Sequence, residues 1–276
     1  MREFENRVIN ALIRVALPVY PPAALWLEHH RAVRAGCPEF KLLPALALKS
    51  KHSIDVGANV GVLSRILAKH SRSVTAIEPN PELCSRMRRS EPKNVTVVQC
   101  AVGEAPGVAR LKIPVGASKH LLTGHASLLE SAMTEFDEYV EIDTPIRTID
   151  EMGLSNIEFI KIDVEGFETE VLRGALNVLR SERPNLMIES ETRHNPEAPS
   201  CVIDMLEPMG YRAFFLKNRK LYSWADYDAV KNGGDLSNPN YVKDFFFVHV
   251  DRLAGMIARL RPVVAVDHLI TAKAVG

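Results

Sequence analysis

Short apolar runs alternate with stretches of helical spacing through most of this chain. Ile54–Val56 ends a first buried run, and Gly57 and Gly61 then allow a sharp turn. Val62, Leu63, Ile66 and Leu67 follow at amphipathic-helix spacing, which predicts a helix over Val62–Lys69. The same rhythm predicts a strand at Val74–Ile77, a helix at Glu82–Arg88 and a strand at Val95–Gln99. Such alternation implies parallel strands with helices on both faces, a doubly wound α/β fold. Residues 103–146 break the rhythm. Val108–Ile113 and Tyr139–Ile146 alternate like a local antiparallel pair around a polar loop holding His125 and Ser127. A loop of that length in a compact domain points to function or mobility.

The pattern resumes with a strand at Ile157–Asp163 and one helix over Glu168–Leu179. Pro184 punctuates before a strand at Asn185–Ser190, then come a helix at Cys201–Met209 and strands at Tyr211–Leu216 and Phe245–Val250. The organisation expected is a helical extension over 1–50, a main domain over 51–251 and an amphipathic tail over 252–276. Phe4, Val8, Leu12 and Val15 share one helical face; Arg14 and then Pro18, Pro21 and Pro22 interrupt it before it reaches bilayer length. A packing helix is therefore favoured there over an interfacial membrane anchor. Leu253, Ile257 and Leu260 form a second stripe beside Arg252, Arg259 and Arg261, open to three roles: covering the core, homo-oligomer pairing or peripheral membrane contact.

Composition removes several classes. At 276 residues, 46% hydrophobic and 25% charged, the chain suits one ordinary globular domain with additions. Lys plus Arg equals Asp plus Glu at 34 each, which argues against a nucleic-acid surface. Cys37, Cys84, Cys100 and Cys201 form no C-x-x-C pair, so neither a zinc site nor a disulfide framework is expected. The expected compartment is the reducing cytoplasm, with the terminal segments able to reach the inner face of a membrane.

The chemistry concentrates where strands end. A strand that breaks at glycine and opens a helix aims unpaired N–H groups at a carboxylate or phosphate. Glu78 closes the second strand 23 residues after Asp55, where ribose-binding folds place an acid for the sugar hydroxyls. Yet Gly57-Ala58-Asn59-Val60-Gly61 is not the G-x-G-x-x-G of dinucleotide folds, and Asp55 suits an ammonium group better than a pyrophosphate. The combination favours S-adenosylmethionine over NAD. Further along, Asp163 and Glu189 end successive strands and should face one crevice, with Glu165, Glu191 and His194 on the loops that follow. Asp163 is expected beside the sulfonium and the acceptor, with Glu165, Glu189 or His194 as base or hydroxyl ligand. A magnesium or calcium ion held by these carboxylates is a less favoured alternative. Glu165 or Glu168 also suits a helix cap, and Lys161 a structural ion pair.

The segments DVGANVG, AIEPNP, VQCAVGE, RTIDEM, FIKIDVEGFETEVLRGA and RPNLMIE resemble the FkbM-type family of S-adenosylmethionine-dependent methyltransferases, over about Ser53 to Val250. The resemblance implies a class I, Rossmann-like, mostly parallel seven-stranded sheet and O-methylation of sugars, glycolipids or polyketide-derived products. It places Asp55, Gly57, Asn59 and Gly61 around the methionine half of the cofactor and Glu78 on the ribose. Pro79 and Asn80 shape the turn beneath, and Cys100 and Ala101 face the adenine. The acid that often meets the adenine amine is missing, leaving Gln99 or Glu104 as substitutes. The expected partner is a small-molecule or glycan acceptor. N-methylation of an amino sugar or peptide, and a cofactor-binding subunit without turnover, are the rivals. Trp224, Tyr227, Asn232, Gly233, Gly234 and Tyr241 form either a sugar-stacking wall or a surface excursion.

Overall fold

The computed structural model describes residues 38–116, 126–129, 137–234, 238, 240–266 and 269; His125, the helix expected before Pro18 and most of the tail beyond Val266 lie outside them. Strands β1 (His52–Val56), β2 (Ser73–Ile77) and β3 (Val95–Val98) run parallel, with helix α2 (Val62–His70) between the first two and α3 (Pro81–Arg88) between the next. A short helix, α1 (Leu43–Leu46), precedes them. Beyond a three-stranded side sheet of β4 (Ala101–Val102), β6 (Tyr139–Arg147) and β5 (Gly107–Pro114), the main sheet resumes with β7 (Ile157–Ile162). It continues through β8 (Asn185–Glu189), β9 (Tyr211–Lys217), β10 (Lys220–Ser223) and β11 (Asp244–His249).

The main sheet has the order β10-β9-β11-β8-β7-β1-β2-β3, with β11 antiparallel to both its neighbours. Chain order reverses between β1 and β7, so a crevice opens at the carboxyl ends of those two strands. The expected seven strands become eight because β10 folds back on β9. Its two-residue turn holds Asn218 and Arg219 at φ 49° and 60°, and Asn-Arg is a much weaker turn signal than Asn-Gly.

Both faces of the sheet are buried, which explains the unbroken apolar runs. Phe245 and Phe247 pack on one side with Ile160, Ile162, Val171 and Leu206; Phe246 and Val248 pack on the other with Phe159, Leu67 and Leu46. The second cluster also takes Leu253, Met256 and Leu260 of the terminal helix Leu253–Leu260. That stretch of the tail therefore covers the core, and Arg252 and Arg259 pin it to buried Glu158 at 2.5 and 3.2 Å. The single helix expected over Glu168–Leu179 is two, α4 (Glu168–Arg173) and α5 (Leu176–Ser181). Gly174 passes so close to the Gly103 carbonyl that a Cβ would collide with it, and Asp150 caps α5 by accepting from the N–H groups of Asn177 and Val178 at 2.9 and 3.0 Å. Among the described residues no helix is long and apolar enough to cross a membrane.

Candidate functional site

The turn after β1 is shaped by contact with the next strand. A Cβ on Gly57, at φ 77°, would run into the carbonyl oxygen of Asp163, so only glycine lets β1 and β7 end this close together. Asn59, also left-handed at φ 51°, aims its N–H at Glu78, whose Oε2 accepts it at 2.8 Å. The other oxygen, Oε1, accepts the Asn80 N–H at 2.9 Å. Glu78 is 5% exposed, and burial pushes its pKa up to about 7 although both backbone donors work the other way. Each oxygen keeps a second lone pair for a ligand.

A first cleft opens over this carboxylate, lined by Gly57, Asn59, Glu78, Pro79, Cys100 and Ala101, all of them expected cofactor contacts. Burial raises the Cys100 thiol to about 11, so it presents a neutral, weakly polar wall. Three expected cofactor contacts, Asp55, Gly61 and Asn80, do not line this cleft. Gly61 backs onto the Glu91 carboxylate, and Asn80 caps α3 by accepting from the Glu82 and Leu83 N–H groups at 2.9 and 3.4 Å. Neither suggested adenine partner is here: Gln99 and Glu104 are exposed, with Glu104 3.9 Å from Arg173. The far end of the cleft is apolar, built by Val102, Leu111, Phe167 and Leu128. Buried Ser127 joins them and donates to the Glu165 carbonyl at 2.8 Å.

A second, more polar cleft shares Gly57, Asn59 and Asp163 with the first. Asp55 lines it too, with Glu39, Lys161, Glu189, Lys243 and Asp244. Lys161 makes the expected ion pair, to Asp163 Oδ2 at 3.0 Å, but its side chain also forms part of the cleft. Burial opposes its charge, yet Asp163, Glu189 and Asp244 together hold its pKa above the ordinary lysine range. Glu189 meets Lys243 at 2.7 Å and stands opposite Asp244 in the β8–β11 register. Burial, followed by the charges of Asp163 and Asp244, pushes Glu189 up to about 9. Lys161 and Lys243 work against that rise, and Glu189 accepts a hydrogen bond from the Lys243 ammonium through Oε1.

Glu165 lines the first cleft in a left-handed conformation, φ 53°, with its carboxylate against His194 Nε2 and 3.8 Å from Arg193. His194 lines neither cleft; it stands behind Glu165. Glu191 is gripped by Arg193 at 2.9 Å and by the Tyr241 hydroxyl. Burial opposes its charge, but those two hydrogen bonds bring its pKa down to about 2. Neither Glu165 nor Glu168 caps α4; Glu168, its first residue, instead accepts the Gly166 N–H at 2.8 Å in the turn before it. Asp163, Glu165 and Glu189 do converge within 4.8 Å, but each already has a basic partner in Lys161, His194 or Lys243, so the metal alternative has no support. The aromatic stretch divides. Trp224 stacks on Tyr227 at 4.6 Å and both pack on Phe245, away from the clefts, whereas Tyr241 lines the second.

Lys243 and Asp244 were absent from the sequence expectations. A signal existed: if the last strand runs antiparallel, its first residues sit at the carboxyl rim of its parallel neighbours. Glu39 had none.

The profile of the methyltransferase FkbM domain matches residues 55–213. Among solved structures, the chain is similar to methyltransferase FkbM from Methylobacillus flagellatus KT at 15% identity and TM-score 0.46. The match covers 88% of this chain but only 59% of that one. Precorrin-6y C5,15-methyltransferase from Geobacter metallireducens GS-15 matches at 11% identity and TM-score 0.43, over 77% of this chain and 87% of that one. A putative methyltransferase from Streptococcus mutans, in complex with SAH, matches at 11% and 0.38, over 76% and 93%. No curated protein matches. The matched profile spans more than half of the sequence, from the Asp55 turn through the strand that follows α6 (Ser200–Leu206), and the chain belongs to the FkbM methyltransferase domain family.

Proposed function

We propose that this chain is an S-adenosylmethionine-dependent methyltransferase that methylates a hydroxyl of a sugar, a glycan, or a glycolipid or other hydroxylated natural product. The observation that carries the reading is the meeting of the two clefts at Asp163, one suited to an adenosine and one to a polar acceptor. The residues fit the cofactor. Glu78 keeps a second lone pair on each oxygen for a ribose diol, Gly57 and Asn59 line the cleft beside it, and the base would lie between Ala101, Leu111 and Phe167. Asp55 suits the ammonium of the amino-acid end. When bound, the cofactor supplies an electrophilic methyl group on a positively charged sulfur.

The chain's own residues then orient the acceptor. Lys161 occupies Oδ2 of Asp163 and leaves the other oxygen to take the proton of an acceptor hydroxyl. Lys243 and the Glu189 carboxyl that it pairs with offer hydrogen bonds to neighbouring hydroxyls. Glu165, backed by His194 and tied to Ser127 through its carbonyl, walls the first cleft. Orientation can remove roughly 7–11 kcal/mol of barrier, against about 10²–10⁴-fold for a placed base. Holding the acceptor is therefore the larger contribution. N-methylation of an amino sugar is a second reading, favoured by the excess of carboxylates over the two lysines in the second cleft. Cys84, Cys100 and Cys201 are all free thiols, which supports a reducing, cytoplasmic setting.

Calorimetric titration with S-adenosylmethionine and S-adenosylhomocysteine tests the first half, and absence of uptake would sink it. Mass spectrometry over neutral and amino-sugar acceptors tests the second. Methyl gain on neutral hydroxyls supports the main reading, gain on amines alone supports the second, and binding without any product points to a non-catalytic subunit.

A further inference from the structure

Asp55 sits at the penultimate position of β1, 1% exposed, and its Oδ2 accepts the Ser64 hydroxyl at 2.6 Å. That is the length of a charge-assisted O–H···O bond. Ser64 belongs to the first turn of α2 and is 0% exposed, and its backbone N–H also faces the Asp55 carboxylate. The inner face of α2 is otherwise apolar, made of Leu63, Ile66 and Leu67. Alanine would favour the helix more and bury no polar atom, so the hydroxyl needs a reason to be there.

We propose that Ser64 is a positioning residue for cofactor binding: it occupies one oxygen of Asp55 and so presents the other to the ammonium group of the donor's amino-acid end. The inference rests on the cofactor reading above. The charged groups facing Asp55 are Lys161, its register partner on β7, Asp163 beyond it, Glu78 at the end of β2, and Glu91 after α3. Of these only Lys161 favours the ionised carboxylate. Burial leaves Asp55 at about 6, and a donor to the charged form is what keeps it from rising further.

The test is the Kd for S-adenosylhomocysteine by calorimetry at pH 6.5 and pH 8.5. In Ser64→Ala the Kd should rise about tenfold at pH 6.5 and less than about twofold at pH 8.5, because a lost charge-assisted hydrogen bond moves the titration up through the lower pH. Ser64→Thr should stay near wild type at both. In an Asp55→Asn background Ser64→Ala should change little at either pH. An equal loss at both pH values, accompanied by a lower Tm, would make Ser64 a packing residue and overturn the proposal, as would an unchanged Kd. If the wild-type chain takes up no ligand at either pH, the cofactor reading falls and this inference with it.

Discussion

At the end of β2, Glu78 is held by two backbone N–H groups; at the ends of β7 and β8, Asp163 and Glu189 are held by the side chains of Lys161 and Lys243. The two arrangements stabilise acids in different ways. Backbone donors are fixed by the turn that carries them and cannot be exchanged by substitution, so the hold on Glu78 is built into the fold. Lysine tethers are long and each faces several carboxylates, so the polarity of the second cleft depends on side chains that a substitution can remove.

Crossing two substitutions probes that contrast most strongly. Asp163→Asn should lower kcat by about 10²–10⁴-fold while S-adenosylhomocysteine affinity stays within about threefold, read by turnover and calorimetry on one preparation. Equal losses of turnover and affinity would merge the two clefts into a single site. Glu78→Ala should do the reverse, weakening the cofactor by roughly a hundredfold through loss of two hydrogen bonds to a charged acceptor, with turnover largely recovered at saturation. Lys243→Met should raise the acceptor KM by about tenfold at most, since its side chain is 36% exposed and the pair is partly screened. Cofactor affinity should not move.

The smallest effect is in the pH dependence of stability. Glu39, Glu78, Glu91 and Glu168 are each raised from the ordinary carboxylate value to about 7, burial being the first cause in all four. An acid whose folded pKa lies above its unfolded one contributes stability that is complete below about 4.5 and lost as pH rises through 7. Glu191, depressed to about 2, works oppositely and loses its contribution as pH falls from about 4.5 towards 2. Thermal melts of the ligand-free chain should therefore show Tm falling between about pH 5 and 7; a rise over that interval would contradict the burial of these acids.

The first cleft was largely legible because its determinants are local. A glycine that must turn, an acid closing a strand and a proline in the turn that follows act within a few residues, and Gly57, Glu78 and Pro79 stand where those rules put them. Gly61 belongs to the same turn but packs against Glu91, which lies beyond β2 and α3 and so outside the reach of any local rule. The helix break at Gly174 was invisible for the same reason: its cause is the Gly103 carbonyl, on the far side of the side sheet in sequence. His194 follows the end of β8 closely in sequence, but the fold sets it behind Glu165, outside both clefts.

Alternating apolar runs and turn chemistry were enough, from the sequence by itself, to establish a doubly wound α/β chain with an acid-tipped nucleoside turn. Tertiary structure alone decided what lines the second cleft. Lys243 and Asp244 reach Glu189 only because β11 enters antiparallel between β8 and β9, which brings its first residues to the rim where its neighbours end. Short-range rules govern how a strand ends; which distant strand end stands beside it depends on a pairing that no local pattern encodes.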